Sequence, residues 1–92
     1  MLFRSLIAAG QYREATESTL DILKEHLVSS GADFVSIEES LLSLGISGAH
    51  YVRLKSIIDK SANGDATRNG ALFCLFFLTD VELRLQSAGI RA

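Results

Sequence analysis

Two histidines and one cysteine are the side chains of this 92-residue chain best suited to nucleophilic or metal chemistry. His26 follows Glu25, and His50 stands near the start of a later segment. Cys74 lies inside the run Ala71-Leu72-Phe73-Cys74-Leu75-Phe76-Phe77-Leu78. Covalent or general acid–base catalysis needs such a group held against a partner in a cleft. Neither histidine belongs to a catalytic spacing, and two histidines with one cysteine cannot supply the clustered ligands of an ordinary structural zinc. A lone thiol in an apolar run behaves as a small hydrophobe. It cannot form an intramolecular disulfide, so nothing demands an oxidising compartment.

The acidic row Glu14, Glu17, Asp21 and Glu25 follows helical spacing. Calcium loops interleave acids with glycine in a tight loop, so this row reads as a solvated helix face. Gly45, Gly48, Gly64 and Gly70 match neither a dinucleotide fingerprint nor a phosphate-binding loop. The expectation is therefore no enzyme, with no catalytic residue, no metal, no cofactor and no small-molecule substrate.

Residues 1–92 are enough for a single domain with its own core. The composition is 48% hydrophobic and 22% charged, with mean hydropathy +0.25. So small a body has little interior, and apolar side chains left over for its surface would mark a partner site. The net charge of −2 gives no strongly basic field to condense on nucleic acid or an anionic membrane. The N-terminus lacks a basic region ahead of its apolar stretch, which Arg4 interrupts. The apolar run at 71–78 is well short of the roughly 20 residues of a membrane span. A cytoplasmic protein with no membrane partner is the expectation.

The positioning elements follow from punctuation and period. There is no proline, so glycine is the main breaker. In the first segment Leu2, Leu6, Ala9, Thr16, Leu20, Leu23 and Leu27 follow one helical stripe broken only by Arg13, predicting a long helix ended at Gly31, with a kink or split at Gly10 as the alternative. Ser36-Ile37-Glu38-Glu39 has the pattern of a capping box, opening a short helix that Gly45 ends. Ser47 caps a third helix reaching about Lys60, with Tyr51, Leu54, Ile57 and Ile58 inward. Asn63-Gly64 is a turn, Asp65 a candidate cap, and the fourth segment runs from about Ala66 to Ser87. Its first half is apolar all round, as suits a central helix or one at a subunit contact. The predicted class is all-α, a compact bundle of four to five helices. The alternative is α+β, with 34–37 and 81–85 paired in a short two-stranded sheet.

Two stretches resemble known families. Gly10-Gln11-Tyr12-Arg13-Glu14-Ala15 is similar to the inter-helix turn of a tetratricopeptide repeat. That resemblance implies that Gly10 splits the first helix and that the chain binds peptides; no second copy follows at the repeat's period. Residues 37–55, with Leu44-Gly45-Ile46-Ser47 between two helices, resemble a helix-turn-helix. The resemblance implies that the second helix reads the major groove. Ser47, Ala49, His50 and Arg53 would then face DNA, with Lys60 near phosphate. Leu41 stands where that family has a small residue, and Tyr51 where it has an aliphatic one.

The functional expectation is a non-catalytic protein acting through protein–protein contact, as a homodimer or as an accessory or regulatory subunit. The expected interface residues are Leu2, Phe3, Leu6, Leu72, Phe73, Phe76 and Phe77. A helix-turn-helix transcriptional regulator, with nucleic acid as partner, is the alternative.

Overall fold

The computed structural model describes residues 3–29 and 36–88. They form six helices: α1 (Phe3–Ala8), α2 (Tyr12–Glu17), α3 (Thr19–Ser29), α4 (Ile37–Ser43), α5 (Gly48–Ala62) and α6 (Arg68–Ser87). The fold is all-α, with no strand among the described residues. The stretch 81–85, weighed as a strand, lies within α6 with Val81 and Leu85 buried. Its apolar side chains serve a helical face, not a pleat. Of 34–37, Ile37 opens α4, while Phe34 and Val35 lie outside the described residues, as do Gly31 and Leu2.

The helix count exceeds the expected four to five because the first segment is three helices rather than one. Gly10 takes φ +79°, a left-handed conformation that costs side-chain-bearing residues about 1–2 kcal/mol. Its N–H donates to the Ile7 carbonyl and that of Gln11 to Leu6, at 3.0 and 2.9 Å. This pair of bonds is a Schellman closure of α1. The second break is made by hydroxyls: Thr16 donates to the Tyr12 carbonyl, and Ser18 and Thr19 both donate to Ala15. Such back-bonding competes with the helical ladder and bends it. Splitting at Gly10 is what the tetratricopeptide resemblance implied, although α1 and α2 are only six residues each.

Later boundaries follow local chemistry. Ser36 Oγ accepts from Glu39 N and Ser47 Oγ from Ala49 N, both at 3.1 Å. Gly45, at φ +88°, ends α4 with a second Schellman pair, and its Ile46 packs into the core with Leu41. The cap of α6 is Thr67, not Asp65: its backbone is extended, and its Oγ1 accepts from Gly70 N at 3.0 Å. Asp65 instead helps close α5, its N–H donating to Lys60.

One core draws on every helix: Phe3 and Ile7, Ala15, Leu23 and Leu27, Leu41, Leu54, and the Ala71, Cys74, Phe77, Leu78, Val81 and Leu85 face of α6. Helices of six or seven residues are unstable alone, so packing holds the short ones: α1 and α2 against α6, and α4 against α5. α6 packs against α1, α2, α3 and α5. The buried hydroxyls of Thr16, Thr19, Ser40 and Ser61 each donate to a backbone carbonyl, and that of Ser61 reaches Arg13 on α2. No buried side-chain polar atom among the described residues lacks a partner. None of the described helices is long and apolar enough to cross a membrane.

Candidate interaction surface

The arrangement of α6 starts from two interleaved spacings. Cys74, Leu78, Val81 and Leu85, spaced 4, 3 and 4, are all buried. Leu72, Phe76, Thr79 and Leu83 repeat the same spacing two residues earlier. Two residues on a helix is a rotation of about 200°, so the second stripe lies opposite the core. Phe76 and Leu83 are 58% and 56% exposed, and Leu72 and Thr79 are half-buried. An ordinary amphipathic helix has polar residues on that side. The long helix of this fold is apolar on both.

The structure sorts the expected interface residues. Phe3 and Phe77 belong to the core of the chain itself, at 9% and 3% exposure, and so cannot offer their rings to a partner. Their place in the outward stripe is taken by Leu83 and Thr79, which the sequence reading passed over. The signal was present, as the second 4-3-4 spacing. Leu6, Leu72 and Phe73 are half-buried, Phe76 is exposed, and Leu2 lies outside the described residues.

On one flank of the stripe, Phe73 organises an aromatic and basic cluster. Its ring lies 6.3 Å from that of Phe76 and 6.2 Å from that of Phe77. His50 meets it edge-on at 6.4 Å, and the Arg53 guanidinium carbon sits 4.4 Å from its centroid. Arg53 is drawn there by the negative face of the ring. These contacts tie α5 to α6, so His50 and Arg53 share an environment that the helix-turn-helix comparison did not anticipate.

Arg53 also lines an open cleft of about 320 Å³ with Ser56, Lys60, Asp65, Thr67 and Asn69. Neither Arg53 nor Lys60 forms an ion pair among the described residues. Ser47 spends its hydroxyl on the cap of α5, while Ala49, in the first turn, is exposed. The structure thus brings Arg53 and Lys60 together, puts His50 beside Arg53, and leaves Ser47 and Ala49 at the helix start.

On the other flank, a groove of similar volume runs between α1, α3 and α6, floored by Phe3, Ile22, Leu75 and Leu78 and edged by Arg4, His26 and Glu82. Among the described residues no three His, Cys, Asp or Glu side chains come together as metal ligands would. Cys74 is fully buried. Burial pushes its thiol above the ordinary range, and a hydrogen bond with Thr19 partly offsets this.

Comparison with protein-family models, with curated proteins and with solved structures finds no match to this chain. The functional argument therefore rests on the chain's own geometry.

Proposed function

We propose that this chain is a non-catalytic cytoplasmic protein that acts through protein–protein contact, with the outward stripe of α6 as its interface and a second copy as its partner. One observation carries the reading: Leu72, Phe76, Thr79 and Leu83 form a coiled-coil-like seam on the face turned away from the core. Phe76 and Leu83, exposed on this face with Leu72 and Thr79 half-buried beside them, have a use when a partner covers them. Each large one buried contributes roughly 1.5–3 kcal/mol before the costs of association. The flanking Phe73 cluster and the Leu75 groove widen the apolar ground on either side.

The test is sedimentation velocity from micromolar to millimolar protein. The expected result is a reversible dimer for the native chain and a folded monomer for Phe76→Asp, with helicity checked by circular dichroism. A native chain that stays monomeric throughout that range overturns the homodimer. An accessory role toward a different protein would then be the form of the proposal that remains, with the same stripe as its contact.

A second reading, a helix-turn-helix DNA-binding regulator, is favoured by the left-handed Gly45 between α4 and α5 and by Arg53 and Lys60, which line one cleft and form no ion pair among the described residues. It predicts salt-sensitive retention on heparin that Arg53→Glu abolishes. Unretained native protein would sink it.

A further inference from the structure

The seam on α6 has an internal symmetry that goes beyond the presence of an interface. Extended by three residues each way, it reads Asn69, Leu72, Phe76, Thr79, Leu83, Gln86, with spacings 3, 4, 3, 4 and 3. The four residues besides Leu72 and Thr79 are exposed, and those two are half-buried. The order reads amide, leucine, large, small, leucine, amide, so laid against its own reverse it sets amide on amide, leucine on leucine and large on small. We propose that two copies pair antiparallel along α6, about a two-fold axis passing midway between Phe76 and Thr79. The inference rests on the self-association reading above and specifies its geometry.

In that arrangement Leu72 of each copy faces Leu83 of the other, Phe76 faces Thr79, and Asn69 faces Gln86. The large–small layers keep the helix separation even along a seam of about 26 Å, at 1.5 Å per residue. A parallel pairing would instead place two Phe76 rings in one layer and two Thr79 hydroxyls in the next. That leaves one layer overfull and the other thin and polar, against the close packing interfaces require. Leucine against leucine and amide against amide complete the match, the amides being able to hydrogen-bond each other where the seam meets water.

Charge points the same way. Arg68 and Glu82 are exposed on one flank of the seam, two heptads apart, with Leu75 between them. Antiparallel pairing sets the basic end of each flank at the acidic end of the other, and it opposes the two helix dipoles. Parallel pairing gathers both Arg68 side chains at one end and both Glu82 carboxylates at the other. A two-fold contact of this kind is isologous and closes on itself as a dimer.

The test uses single cysteines and mild oxidation, read on non-reducing gels with the linked peptides identified by mass spectrometry. Leu72→Cys and Leu83→Cys are oxidised separately and as an equimolar mixture, each variant's mass being checked by sedimentation. Native Cys74 is buried and faces the opposite side of α6. The antiparallel register predicts a 72-to-83 cross-link in the mixture and little from either variant alone. Asn69→Cys with Gln86→Cys, both at exposed positions, should behave alike and serves if the leucine variants misfold. Each variant linking to itself means a parallel seam, which overturns the register and leaves self-association standing. Dimers with no cross-link from either pair mean that another face associates, and the seam falls. Monomers throughout, the native chain included, remove the self-association reading itself.

Discussion

The guanidinium of Arg84 closes the end of α4 from the opposite half of the chain: its Nη1 donates to the carbonyl oxygen of Leu44 at 3.3 Å. Its Nε meanwhile holds the Asp80 carboxylate, 3.2 Å from each oxygen. A carbonyl at a helix C-terminus has no intrahelical donor, and a cation there also answers the helix dipole. Replacing Arg84 with Met keeps most of the apolar stem and removes both contacts. Urea titration should show a loss of about 1–2 kcal/mol, as for a hydrogen bond with a charged partner. Asp80→Asn should cost less than about 0.5 kcal/mol, because the pair is 41% and 29% exposed and such pairs contribute little. Equal losses in the two variants would mean that the ion pair, not the reach to Leu44, matters.

Gly10→Ala tests the division of the first segment by sign. Among the described residues no atom beyond its two chain neighbours lies within 4 Å of the position an added Cβ would take, so the backbone is what responds. At φ +79° alanine should destabilise by about 1–2 kcal/mol. Were the segment one continuous helix, the same change would stabilise it by about 1 kcal/mol through propensity. Denaturation midpoints at a fixed protein concentration decide between them, since association would otherwise shift the result.

Cys74 gives a pH dependence with a definite direction. Because burial raises its pKa in the folded chain, the thiol keeps its proton there at pH values where the unfolded chain releases it. Stability is unaffected below the ordinary thiol range. It should fall as pH rises above about 8.5, by at most about 1.4 kcal/mol per unit, until the folded thiol also ionises. Subtracting the curve of Cys74→Ala isolates this contribution from other groups that titrate there. The same burial predicts slow labelling by a thiol reagent in buffer and fast labelling in urea. Rapid labelling of the folded chain would contradict the packing of Cys74 against Thr19.

Gly70→Ala should destabilise although it adds a helix former. The new Cβ would come within 2.9 Å of Ile57 Cγ2 and 3.2 Å of Thr67 Oγ1, where α6 begins alongside α5. Overpacking of this kind costs about 1–3 kcal/mol, more than the propensity gain near a helix start returns. Ile57→Ala makes room, so the double variant should lose less than the sum of the two single losses. Strict additivity in chemical denaturation would show that the contact is not the cause.

Much of the local architecture was legible in the residues. Ser36 and Ser47 cap the helices they precede, Gly45 closes the one before it, and Leu54 faces the core, because each depends on chemistry within a few residues. The all-α class followed from the same signals. Gly10 marked where the first helix could kink or split, but the apolar stripe keeps helical spacing on either side of it and so favoured one continuous helix. Helices of six residues form only when packed, so α1 and α2 exist through their burial against α6.

Periodicity determined that α6 carries apolar residues at helical intervals, but it could not say which of two apolar faces turns inward. Only the tertiary structure decided that, by packing α1, α2, α3 and α5 against the Cys74, Leu78, Val81 and Leu85 side. That choice buries Phe77 and leaves Phe76, its neighbour in the chain, in solvent. Adjacent residues on a helix point about 100° apart, so the same composition supplies a core on one side and an outward seam on the other.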